Sequence, residues 1–174
     1  MTPDLPADPI VTSLVSLELI PAADIADMLT CGDELGRRHD DWHPDYPRED
    51  DCDGVRMVRE VDGWGSRQIR RRSDGLVVGT IGFFGRPEEE SGLAEVGYGL
   101  VEAARGERLM SAALPALLSL TDAAEVRVCA GTTRGNAASL AVMRSAGFIV
   151  LEEDPGATPD PEREVRLLRE LPKR

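Results

Sequence analysis

The stretch Glu95-Val96-Gly97-Tyr98-Gly99-Leu100-Val101-Glu102-Ala103-Ala104-Arg105-Gly106-Glu107-Arg108 reads as a strand, a short loop and the first turn of a long amphipathic helix. A junction of this kind gathers unpaired main-chain N–H groups and the positive end of a helix dipole at one point, and so forms an anion site. Gly106 lets the backbone come close to a ligand. Taken alone, the same residues also describe a plain strand-to-helix turn. A second group is Asp40-Asp41-Trp42-His43-Pro44-Asp45-Tyr46, followed by Glu49-Asp50-Asp51. Its charge can draw in a cation, and it equally suits a solvated acidic loop with two packing aromatics. Asn136 opens a further helix, where its amide suits an N-cap, and Ser139 follows one turn later on the same side.

The elements that must hold these groups follow from periodicity. Thr12 to Leu19 alternates as a half-buried strand, and Pro21 opens a short helix over Ala22 to Leu29. Arg37 to Asp53 is polar and irregular, with a helix resuming near Val55 to Val61. Arg67 to Arg72 and Leu76 to Phe84 form two strands around a Ser73-Asp74-Gly75 turn. Alternation along the first of these makes the Arg70-Arg71-Arg72 run a strand surface rather than a nucleic-acid patch. Ala94 to Val101 is the next strand. Arg108 to Asp122 is a helix carrying Leu109, Ala112, Ala113, Ala116, Leu117 and Leu120 at helical spacing, with a kink expected at Pro115. Glu125 to Ala130 is a strand, Asn136 to Ala146 a helix stopped by Gly147, and Phe148 to Leu151 and Arg163 to Arg169 are the last strands. The pattern is α/β (α+β), in one domain spanning residues 1–174, with residues 1–10 a loose tail.

The 174 residues carry 20 Lys+Arg against 32 Asp+Glu, a net charge of −12. That balance, with a pI near 4.6, excludes broad neutralisation of phosphates and is repelled by anionic lipid, so no nucleic acid and no membrane is expected as partner. Cys31, Cys52 and Cys129 are scattered without metal-ligand spacing, and His39 and His43 have no cysteine nearby. They read as free thiols of a cytoplasmic protein, with no metal site. No apolar run reaches the length of a membrane span, and the N-terminus lacks signal-peptide features.

Three collinear segments, VGTIGFFG (78–85), AEVGYGLVEAARGE (94–107) and TTRGNAASLAVMRSAGF (132–148), resemble the GNAT family of acetyl-CoA-dependent N-acetyltransferases. The branch most resembled acetylates ribosomal-protein N-termini. The resemblance implies a mixed central sheet with a splayed strand pair, flanked by helices. It implies acetyl-CoA as co-substrate, with the backbone around Leu100 and Val101 pairing with pantetheine. The loop Arg105, Gly106, Glu107, Arg108, Leu109 and Met110 would wrap the pyrophosphate, and Asn136 and Ser139 would also meet the cofactor.

The family loop usually runs Arg/Gln-x-x-Gly-x-Gly/Ala. Here Arg108 stands at the second glycine and Met110 at the small residue, so position 108 either obstructs the diphosphate or pairs with it. Acetylation needs a neutral amine, and Glu95 is the candidate general base, with an ion-paired surface carboxylate as its alternative reading. The tyrosine that many members use as acid is replaced by Met143. The resemblance places the acceptor pocket at Trp42, His43 and Tyr46. The implied reaction is direct acetyl transfer to a small-molecule amine or a protein N-terminus, by a monomer or homodimer. The alternative is a catalytically inactive GNAT-fold binding module.

Overall fold

A computed structural model describes residues 2–30, 37–56, 62–151 and 160–172. Eight strands form one sheet: β1 (Ile10–Val11), β2 (Val15–Leu19), β3 (Arg67–Arg71), β4 (Val77–Phe83), β5 (Leu93–Leu100), β6 (Arg127–Thr133), β7 (Ile149–Val150) and β8 (Glu164–Arg169). Their order is β1-β2-β3-β4-β5-β6-β8-β7. Among these strands only the β5–β6 pair is parallel. Helices α1 (Ala22–Thr30) and α2 (Glu49–Arg56) precede β3, α3 (Leu109–Ala123) joins β5 to β6, and α4 (Ala137–Ser145) joins β6 to β7.

The expected strand over Thr12–Leu19 is in fact a hairpin. Thr12 Oγ1 accepts hydrogen bonds from the Leu14 and Val15 amides and so breaks the chain between β1 and β2. In β2 the inward residues Val15 and Leu17 are fully buried, as alternation requires. Helix α3 buries Leu109, Met110, Ala113, Leu114, Leu117, Leu118 and Thr121, a stripe at three- and four-residue spacing. Each buried leucine contributes about 1.5–3 kcal/mol of apolar transfer free energy. The helix is continuous through Pro115, which lies on its exposed side.

The feature that builds the site is the parting of β5 and β6. They pair only at Leu93–Arg127, Ala94–Val128 and Glu95–Cys129. Beyond that rung β6 turns to β8, with which it pairs from Val128 to Thr133. β5 keeps its antiparallel bonds to β4 as far as Leu100. Val101 N–H donates to Val78 O, and Phe84 N–H to Glu95 O. In an antiparallel ladder hydrogen-bonded residues alternate, so positions 95, 97, 99 and 101 serve β4. The main-chain groups of Tyr98 and Leu100 therefore face the gap that β6 has left.

Two expectations are corrected here. Residues 3–8 are not a loose tail: the carbonyl of Pro3 accepts from Trp64 Nε1, and the carbonyls of Pro6 and Asp8 accept from buried Arg67. A Cβ on Gly63 would lie 1.9 Å from the Leu5 carbonyl oxygen, so the segment packs directly on the turn before β3. The second helix begins at Glu49, inside the acidic run, rather than at Val55. Acidic residues 49–51 fill its first turn, where the helix dipole favours them. The rest of the expected helix, residues 57–61, lies outside the described residues, as does Cys31.

Candidate active site

Two cavities open at the parting of β5 and β6 and share Arg48, Asp50, Tyr98 and Gly99 as a common wall. The larger, about 440 Å³, runs from Leu100 to the start of α3 and across to α4. At its α3 end Arg108 occupies the position before the helix with φ 61° and ψ 16°, and no side chain caps the helix. The first amides of α3 thus remain free for a ligand. Gly106 has φ +81°, and a Cβ there would meet nothing within 4 Å. Arg105 and Arg108 are exposed and line the cleft, while Leu109 and Met110 line it with largely buried side chains. The cleft stays open past Met110, whose side chain goes mainly into the core.

Glu107 departs from its neighbours. Its carboxylate accepts from Arg71 Nη1 at 2.7 Å, tying the loop to the β3–β4 hairpin, and it lines a neighbouring cavity rather than the cleft. Val101 is also withdrawn: its N–H serves Val78, its carbonyl accepts from Ala104, and its side chain is fully buried. Leu100 does line the cleft. The free backbone on β5 is therefore at Leu100 and Tyr98, and the ladder phase that distinguishes 100 from 101 depends on register with β4.

On the opposite wall Asn136 is a helix cap that also borders the cleft. Its Oδ1 accepts from the Ser139 amide at 3.1 Å, capping α4, and the residue lines the cleft. Ser139 lines it too. Its hydroxyl is 3.0 Å from the Tyr98 hydroxyl, which bridges β5 to α4 across the gap. Burial raises the Tyr98 pKa and the Ser139 bond only partly offsets it, so the phenol stays protonated at neutral pH.

The smaller cavity, about 240 Å³, is lined by Ser66, Thr80, Phe84, Gly97, Gly131 and the shared wall. Arg48 dominates that wall. Asp51, its side chain 1% exposed, accepts from Arg48 Nε at 2.9 Å and Nη2 at 2.8 Å, and from the Arg48 amide at 2.9 Å. The amide contact is half of a capping box at the start of α2. Partial burial alone would lower the Arg48 pKa, but Asp51 and then Asp50 more than reverse it. The guanidinium lies against β5 where Gly99 has no side chain: a Cβ there would sit 2.0 Å from Nη2. Sequence reasoning missed this group. Its available signals were the acidic residue three positions after Arg48 and the alternate glycines 97 and 99.

Trp42, His43 and Tyr46 do not line either cavity. Trp42 and Tyr46 are core residues, packed edge to face with ring centres 5.4 Å apart, and Tyr46 donates to or accepts from Thr80 Oγ1 at 3.2 Å. Burial, the largest cause, pushes the Tyr46 phenol well above its ordinary pKa. The His43 amide bonds the Val77 carbonyl and its Nδ1 accepts from the Asp45 amide. The loop thus docks on the sheet instead of forming the pocket, and the residues that reach the pocket come just after it.

Glu95 lines neither cavity, and its Oε1 accepts from Arg166 Nη1 at 2.8 Å. The alternative reading of an ion-paired strand carboxylate describes this geometry. Glu95→Gln is therefore expected to change the rate of a reaction in the cleft by less than about threefold. Loss of a general base costs roughly 10²–10⁴-fold, and a drop of that size would return Glu95 to the reaction. Met143, at the position of the absent tyrosine, is buried.

The parted parallel strands, the free main-chain groups of β5 and the uncapped helix converging on one cleft define a site for an extended ligand with an anionic end. The chain belongs to the GNAT acetyltransferase family: the model of the acetyltransferase (GNAT) domain matches residues 15–149. Among solved structures it is similar to a chain from Bordetella pertussis assigned to the GNAT acetyltransferases, at 23% identity and TM-score 0.64, covering 93% of this chain and 99% of that one. It is also similar to the RimL ribosomal-protein acetyltransferase in complex with coenzyme A, at 20% identity and TM-score 0.63, covering 94% and 98%. An acetyltransferase from Agrobacterium tumefaciens matches at 18% identity and TM-score 0.61, covering 97% of each chain. No curated protein matches. Among the described residues, no helix is long and apolar enough to cross a membrane.

Proposed function

We propose that this protein transfers an acetyl group from acetyl-CoA directly to a primary amine, with both substrates bound together. The observation that carries this reading is the cleft itself, in which the gap-facing groups of Tyr98 and Leu100 lead to the uncapped amides of α3. These features fit the shape and charge of coenzyme A: a peptide-like arm suits a free strand edge, and a diphosphate suits a helix N-terminus flanked by Arg105 and Arg108. The chemistry acetyl-CoA supplies is an activated acyl carbon, whose bond to sulfur breaks as a bond to the amine nitrogen forms, with the amine's proton ending on the thiol. The chain's own residues bind and orient. Tyr98 and Leu100 align the arm, Asn136 and Ser139 close the far wall, and the smaller cavity admits the acceptor past Arg48.

A second reading, a binding module without turnover, draws on two specific observations: Glu95 is held by Arg166, and Met143 replaces an acid. Neither excludes transfer, because a thiolate is already a fair leaving group near neutrality. Release of coenzyme A thiol from acetyl-CoA, followed with a panel of amines, separates the two. The proposal expects amine-dependent release. Release at background with every amine, despite acetyl-CoA binding, favours the module.

A further inference from the structure

Resting on the transferase reading, we infer that the acceptor is a small amino-acid-like zwitterion, whose carboxylate is held by Arg48 and whose ammonium approaches beside Asp50. Among the described residues lining the smaller cavity, the charged ones are Arg48, Asp50 and Asp51. Asp51 is committed to Arg48 and almost wholly buried, so it offers nothing to a ligand. Its two contacts use Nε and one edge of Nη2. Among the described residues Nη1 has no hydrogen-bond partner and forms only a 3.8 Å ion pair with Asp50, whose carboxylate is 86% exposed. What the cavity presents is therefore a fixed guanidinium edge with free donors beside a solvated carboxylate, opposite charges a few ångströms apart. That pairing complements an ammonium and a carboxylate on one carbon atom. A simple amine would leave the remaining Nη1 donors unfilled and pass a cation beside a cation.

The position of Arg48 makes it a specificity element and not only a strut. It lines both cavities, so an acceptor crossing from the smaller one to the acyl group must pass it. Three contacts to Asp51 hold its orientation, and Gly99 provides the space on β5. A planar guanidinium with its orientation fixed is suited to carboxylate recognition, which a flexible lysine would serve less well. The cavity of about 240 Å³ and its small-residue walls suit a compact acceptor. A polypeptide N-terminus has no carboxylate on the carbon that bears its amine, so it lacks the second half of the match.

The test compares each amino acid with its decarboxylated amine at saturating acetyl-CoA: alanine with ethylamine, phenylalanine with phenethylamine, histidine with histamine, alongside a short peptide with a free N-terminus. Coenzyme A thiol release is read as kcat/KM. Hydrogen bonds to a charged partner predict an advantage of roughly tenfold to a hundredfold for the amino acid in at least one pair. Arg48→Gln should erase that advantage and Arg48→Lys should keep part of it, with the change appearing in KM for the acceptor. Because Arg48→Gln strands a buried carboxylate and can unfold the protein, the wild-type ratios stand as the primary readout. Amines or the peptide used as well as, or better than, the amino acids overturn the inference while leaving the transferase reading intact. Absence of release with every acceptor also overturns it, and a parallel acetyl-CoA titration then shows whether the transferase reading has fallen too.

Discussion

Replacing Arg108 with glycine will make the protein more stable and, on the proposed function, its hold on acetyl-CoA weaker. The two effects come from different parts of one residue. The backbone at 108 is left-handed, with φ 61°. An L-residue pays about 1–2 kcal/mol for that conformation, and glycine pays little, although its freer unfolded chain returns about 0.4–1 kcal/mol. A net gain of about 0.5–1 kcal/mol is expected, visible as a rise of roughly 1–3 °C in Tm for a chain of this size. The side chain acts in the other direction. It is exposed at the mouth of the cleft beside Arg105, where a guanidinium can meet a phosphate. Partial solvation places that contact at the low end of charge-assisted bonds, so acetyl-CoA affinity should fall by about tenfold. Arg108→Ala is the control: it loses the charge and keeps the strain, so affinity falls with no gain in Tm. Tighter binding by Arg108→Gly would mean that the side chain obstructs the cleft.

Asp51→Ala will be among the most damaging single changes at the site. The carboxylate is buried, accepts three hydrogen bonds from Arg48, and fixes the guanidinium between the two cavities. Removing one partner of a buried pair costs about 3–5 kcal/mol, because the other charge is left without compensation. Arg48 is one-fifth exposed and water can reach part of it, so about 3 kcal/mol is the expected loss. Asp51→Asn keeps the shape and one acceptor and should fall between. Urea unfolding would show the midpoint moving with an unchanged slope. Asp51→Ala within about 1 kcal/mol of wild type would contradict the account of Arg48 as a fixed group.

The fold was legible because its signals are local. Alternation marked β2, helical spacing marked α3, and the Ser73-Asp74-Gly75 turn joined β3 to β4, which pair as antiparallel neighbours. The lining of the larger cavity was legible for the same reason, since strand, loop and helix start are contiguous in the chain. The lining of the smaller cavity was not. Whether Trp42 and Tyr46 face a pocket or a core depends on how a loop docks on β4, and no spacing within the loop encodes that. Arg48 reaches Gly99 across 51 positions, and Arg166 reaches Glu95 across 71. Contacts of this kind follow from sheet order. Glu95 and its arginine meet only because β8 inserts beside β6, and Leu100 differs from Val101 only through the phase of the β4–β5 ladder.

The most direct measurement is a crystal structure of the protein grown with acetyl-CoA. It should show the pantetheine arm hydrogen-bonded to the main chain of Tyr98 and Leu100, with the diphosphate within bonding distance of the first amides of α3 and the Arg108 guanidinium. An occupied site elsewhere on the molecule, or a nucleotide tail turned away from residues 105–111, would contradict it.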